Sequence, residues 1–321
     1  MKRNRRTKGP LAWLALFGVG MTLPLGVAGQ TVIEDVTELD SEAPEAWAMA
    51  WYTSLGLFHS FGAPRVITPG EFTFGFEGGL IPQLSDTERR VGFGGTKLED
   101  TNKSRLFGRL RLGVGLPGSI TAELGFVPPV KRNGAKPALF AASVGVPVRN
   151  QSGLRVGARL YGQIGKIEGD FTCDRESFEN GTDIGVICEG VSRDEIDQRY
   201  FGAELSASDT RGHWEFFMAG AFNYLDNEFR VDAQYHFSGT TQSIRSFETL
   251  QASGWTWSLH GGIKYLAAGG LAVGAGAFYT PLDVQRPPAT APSNESLFNI
   301  RAIVEWHIGG DPGSDVRAVR R

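Results

Sequence analysis

The chain is 321 residues long, with 43 glycines, 11% aromatic residues and a formal net charge of −3. Five basic residues crowd the first eight positions. The rest of the chain then carries −8, which argues against a nucleic-acid partner because phosphate binding needs a basic surface. Past residue 30 nothing reads as a transmembrane helix, and abundant glycine without long helical periodicity points to all-β structure.

In chain order, Lys2, Arg3, Arg5, Arg6 and Lys8 precede an apolar stretch from Leu11 to Leu25 that ends at Val27-Ala28-Gly29. A basic start, a short apolar run and small residues at a cut make residues 1–29 a secretory signal peptide. Residues 30–66 follow as a segment ahead of the first strand. Within it, 43–55 favours a short helix or interfacial segment, with Trp47, Trp51 and Leu55 on one face. Asp40 or Ser41 is placed to cap it. The same stretch also alternates as a strand as far as Phe58.

From residue 71 onward ten segments alternate with period two: 71–80, 105–116, 119–127, 139–148, 154–164, 200–207, 213–224, 255–266, 271–280 and 296–308. In the last, Phe298, Ile300, Ala302, Val304, Trp306 and Ile308 oppose Asn299, Arg301, Glu305 and His307. In 105–116, Leu106, Leu110, Leu112, Val114 and Leu116 oppose Arg105, Arg109 and Arg111. Connections between segments alternate short and long; the long ones are 82–104, 128–137, 169–197, 225–252 and 281–295. Loop 169–197 is acidic and holds Cys173 and Cys188, an even count that reads as a disulfide in an exported protein. Residues 228–236 and 242–250 are placed to pair as a hairpin. The tail, 309–321, reads as disordered.

A soluble sandwich also alternates, with its apolar side inward. Here aromatics gather toward segment ends (Trp214 and Tyr224, Trp255 and Tyr265, Trp306, Tyr279), and the opposite face is too charged for a dry core. In these features residues 71–308 resemble the general class of bacterial outer-membrane β-barrel proteins, whose aromatic girdles flank a lipid-facing band. The resemblance implies a transmembrane antiparallel up-and-down barrel of about ten strands, with twelve the main alternative. It implies outer-membrane lipid and the barrel-assembly machinery as partners. Short turns then face the periplasm, and residues 30–66 form a periplasmic segment, so that both ends of the chain lie there. The continuation past Trp306 and Ile308 departs from the aromatic-terminated last strand common in the class. No closer family is identified, so no functional residue carries over.

The charged face then lines the lumen, with Arg105, Arg109, Arg111, Arg155, Arg159, Lys264 and Arg301 against Glu71, Glu77, Glu123, Glu204, Glu215 and Glu305. Barrel diameter grows with strand number, so ten strands make a narrow bore that ion pairs can largely fill. The primary expectation is a narrow channel or passive transporter for small solutes crossing a charged constriction. A structural or surface-interaction barrel with partner-binding outer loops is the alternative. In a hydrophobic-substrate variant, Trp47, Trp51 and Leu55 act as a latch or plug, which requires residues 43–58 to lie inside the lumen. Catalysis is the least supported. The five histidines form no zinc-binding pair and no nucleophile elbow is present. Asp194, Glu195 and Asp197 lie close together in an outer loop, where carboxylates resemble those of an aspartate-based surface protease, but acidic outer loops are common without catalysis. No cofactor or metal is expected.

Overall fold

The structure, a computed structural model, describes residues 31–308 apart from 34, 66 and 152. The expected signal peptide and tail lie outside the described residues. Ten strands form the wall: β1 (Phe72–Leu80), β2 (Leu106–Leu116), β3 (Ile120–Val127), β4 (Lys136–Gln151), β5 (Leu154–Gly169), β6 (Asp194–Arg211), β7 (Trp214–Arg230), β8 (Thr249–Leu266), β9 (Leu271–Thr280) and β10 (Leu297–Ile308). Each pairs antiparallel with its chain neighbour, and β10 closes onto β1, so no edge is left open.

The alternation places its two faces as membrane physics requires. Phe72, Phe74 and Phe76 are 44–50% exposed, while Thr73 and Glu77, on the alternate positions, are at most 6% exposed. The outside is therefore apolar and the inside charged, the reverse of a soluble sandwich, and the chain is an all-β barrel of the outer-membrane type. Ring pairs mark two levels on the outer surface: Trp214 with Tyr265 at 4.9 Å and Tyr224 with Trp255 at 5.2 Å. Between Trp214 and Tyr224 run about 33 Å of strand. At the usual tilt of about 40° this spans about 25 Å, the height of a lipid-facing band.

Several strands outrun the alternating segments. The segment expected at 200–207 grows to Asp194–Arg211, and that at 255–266 starts at Thr249. Above the apolar band no lipid selects an apolar outer face, so the ladder continues with Leu250 and Ala252 inward and polar Gln251 and Ser253 outward. On this taller side the expected hairpin forms between Ala233–Phe237 and Ile244–Ser246. Thr31–Ile33 joins one side of the hairpin and Val186–Cys188 the other, making a four-stranded sheet across the long-loop end.

Cys173 and Cys188 are disulfide-bonded, with Cα atoms 5.9 Å apart; Cys188 ends a strand of this sheet, and both side chains are buried against Val186, Ala233 and Tyr235. A loop of this length is stabilised by about 3 kcal/mol in the chain-entropy model. Replacing both cysteines with serine is expected to speed proteolysis of residues 170–193 about a hundredfold. The barrel's heat-modifiable mobility on gels should be unchanged; loss of that mobility would mean that the sheet supports the wall itself.

One expectation is overturned. The described residues of the segment expected at 30–66 do not lie beneath the barrel. Val36–Glu38 pairs parallel with Thr249–Gln251 at the long-loop end, helix α1 (Pro44–Leu55) descends into the mouth, and residues 56–65 run on down the lumen to the short-turn end. Parity counts crossings of the wall, and this crossing is made inside it. No eleventh or twelfth wall strand is present among the described residues. The N-cap of α1 is Ala43, followed by Pro44 at the first helical position, rather than Asp40 or Ser41. Asp40 instead accepts from the Glu42 backbone N–H.

Candidate functional site

Helix α1 is buried on nearly all sides. Trp47, Trp51 and Leu55 share one face, as their spacing implies, and pack on Leu84, Val91, Leu282, Val284 and Leu297 from the outer loops and β10. Ala46 and Met49 face Leu250 and Ala252 of β8.

Below the helix the chain is extended but has no strand beside it, so its buried backbone groups need side-chain partners. The wall arginines provide them. Arg109 donates to the Gly56 carbonyl, Arg301 to Leu57 (2.7 Å) and Ser54 (3.3 Å), Arg159 to Phe58, and Arg111 to His59 (2.9 Å). In the other direction, Phe58 N–H donates to the Tyr200 hydroxyl (2.7 Å), Ser60 N–H to Glu204 (3.2 Å) and Ala63 N–H to Ser208 (2.7 Å).

The same arginines are held by carboxylates. Glu77 lies 3.5, 3.1 and 3.2 Å from Arg109, Arg111 and Arg301, and Glu123 takes Arg111 (3.1 Å) and Arg159 (2.7 Å). Each guanidinium thus bridges a wall carboxylate and a plug carbonyl, a use of its several fixed donors that a lysine would not match. The Phe58 ring lies among three of them, 5.1, 4.3 and 4.6 Å from the guanidinium carbons of Arg109, Arg111 and Arg159. Lower down, Glu215 pairs with Arg155 (2.7 Å) and with Arg65 of the plug, and Lys264 lies 3.8 Å from Glu305.

Glycine matters at two points of close approach. Gly62 has φ +125°, and a Cβ there would lie 2.5 Å from Glu215 Oε1. At Gly115 of β2 a Cβ would meet the Ile67 carbonyl oxygen at 2.3 Å, where the plug turns back toward β1.

Of the thirteen charges assigned to the lumen, two lie elsewhere. Arg105 precedes β2 and is exposed at the long-loop rim, because the strand begins one residue later. Glu71 precedes β1 and accepts from the Thr68 N–H at an exposed turn. Glu77, Glu123, Glu204, Glu215, Glu305, Arg109, Arg111, Arg155, Arg159, Lys264 and Arg301 all point inside.

Sequence reasoning missed the plug's own contributions. His59 Nε2 is 2.7 Å from Ser258 Oγ, and its ring lies 4.5 Å from that of His260. Nothing in the sequence links positions so far apart. His59, Ser258 and His260 are all buried within the lumen. The acidic group at 194–197 is engaged by its neighbours. Asp194 accepts from Thr172, Ser192 and the Asp232 N–H, while Glu195 and Asp197 pair with Arg230. No cluster of three or more potential metal ligands occurs among the described residues.

Beside the lower plug the free space is about 60 Å³, roughly two water volumes. Above α1, under the outer loops, a cavity of about 470 Å³ remains. Its wall is mostly apolar but includes Glu45, Glu99, Glu248 and Lys97. Burial raises the Glu45 carboxyl and pushes Glu99 up to about 8, against the pull of Lys97 beside it.

No protein-family model and no curated protein matches the chain. Its fold is similar to solved outer-membrane proteins. The protease OmpT of Escherichia coli matches at 10% identity and TM-score 0.37, over 75% of this chain and 98% of that one. The translocator domain of the autotransporter NalP of Neisseria meningitidis matches at 11% identity and TM-score 0.37, over 84% and 99%. Ail, the attachment invasion locus protein of Yersinia pestis, matches at 9% identity and TM-score 0.29, over 74% and 95%. At these values no residue role passes from them to this chain.

Proposed function

We propose that this chain is an outer-membrane uptake barrel, closed at rest by its own N-terminal segment, which admits a small molecule from the long-loop side. The observation that carries this reading is the plug itself: residues 44–65 fill the lumen, held through backbone carbonyls by Arg109, Arg111, Arg159 and Arg301. An open channel lined by those arginines is disfavoured, because they are already engaged. Residues 44–65 are held by side-chain contacts without a β-ladder of their own, and of the described residues ahead of them only Val36–Glu38 pairs with the wall, so the plug can shift without breaking the wall's own ladder.

Planar-bilayer recordings test this. The intact chain is expected to insert without steady current. A variant lacking residues 31–65, or the milder Arg109→Ala/Arg301→Ala pair, should show stable openings. Steady current through the intact chain would overturn the closed state. A folded deletion variant that stays silent would overturn the plug as the obstruction.

A second reading, a surface-interaction barrel, draws on Phe178, Ile187, Phe237 and Phe247, which are at least 36% exposed on the outer loops and sheet. It predicts no solute flux under any condition.

A further inference from the structure

Packed interiors leave few voids larger than a water molecule, yet the space above α1 is many times that size. Met49 and Tyr52 of α1 form its floor, while Phe171, Ile196, Phe229 and Leu250 form apolar walls. These walls are built, not accidental. Phe171 makes edge-on ring contacts with Tyr52 and Phe229, and the disulfide and the four-stranded sheet hold the roof.

Charge on the lining is one-sided. Its one basic side chain, Lys97, is committed to Glu99 and to the Thr172 carbonyl. Glu45 and Glu248 are left near one another at the wall; Glu45 takes the Gly94 N–H at 2.5 Å, and its ionised form is disfavoured by burial and further by Glu248. A cation placed there offsets both effects, while an anion meets two carboxylates and no uncommitted positive charge.

We propose that this cavity binds a small amphipathic cation, its apolar body against Phe171, Phe229 and Leu250 and its positive head against Glu45 and Glu248. The space lies within the usual size range of ligand pockets. The assignment deepens the uptake reading, because it names what would be admitted.

The test uses the full chain in lipid nanodiscs, titrated calorimetrically with decyltrimethylammonium, decanol and decanoate, and corrected with empty nanodiscs. The cation is expected to bind saturably, about tenfold tighter than decanol, with decanoate weaker still. Glu45→Gln/Glu248→Gln should erase the preference for the cation but retain binding of decanol. Met49→Trp, which fills the space from its floor, should abolish binding of all three.

Absence of saturable binding, equal affinity for decanoate, or cation preference that survives the double Gln variant would each overturn the site. If Met49→Trp fails to show the folded gel mobility, Leu250→Trp tests occupancy from the opposite wall. Proteoliposome flux of the cation separates the two proposals. Binding without flux overturns uptake and leaves the site; flux without binding overturns the site and leaves uptake.

Discussion

Glu77→Ala is expected to destabilise the folded barrel by about 3–5 kcal/mol, the cost of breaking a buried ion pair from one side. Glu77 is fully buried and is the one carboxylate in the described structure within 4 Å of Arg109 and Arg301; Arg111 has Glu123 as well. Removing it leaves guanidinium groups whose remaining partners are plug carbonyls and the Gln163 amide. Urea titration of protein refolded into vesicles should show the midpoint falling with the slope unchanged. Glu77→Gln, which keeps the shape and an acceptor oxygen, should recover only part of the loss. A shift below about 1 kcal/mol, the range of exposed pairs, would mean that water reaches these arginines and that the lumen is far wetter than its packing implies.

Phe58→Ala is the second large effect, about 3–5 kcal/mol for truncation of a buried aromatic side chain. The ring packs with Leu57, Ala141, Tyr161 and Tyr200 in addition to its three guanidinium neighbours. Phe58→Leu separates the contributions. It keeps much of the apolar contact but removes the π face, and should cost about 1–2 kcal/mol for desolvated cation–π contacts. Amide exchange of residues 56–65 reports the effect directly. The wall amides, locked in the ladder, should keep their protection while the plug amides lose theirs. Equal loss in both would show that plug and wall unfold as one unit.

The wall was legible because lipid on one side and polar groups on the other force a period of two; Phe72, Phe74 and Phe76 against Thr73 and Glu77 is that rule in miniature. The common face of Trp47, Trp51 and Leu55 was legible for the same kind of reason, from a helical period. The destination of the segment was not. Arginines that grip carbonyls recognise backbone, and every residue has a carbonyl, so Gly56, Leu57, Phe58 and His59 carry no pattern that says where they bind. The balance of lumen charge even pointed elsewhere. Arg109, Arg111, Arg159 and Arg301 read as partners for the lumen carboxylates alone, when each also donates to a plug carbonyl. Arg105 and Glu71 were misplaced by extending alternation one residue past the strand ends, where the ladder has already stopped.

The path of residues 44–65 also constrains how the protein is built. The segment is covalently continuous with β1 and passes through a ring that is sealed by β10 on β1. Threading a finished ring would mean pulling two tryptophans through a bore with almost no spare room beside the chain. A curved, unsealed sheet has no such problem, since the segment can be laid across its concave face while the arginines are still reachable. A path in which the wall closes around its occupant avoids that passage, and in the finished barrel the segment is enclosed by a seam of β10 on β1.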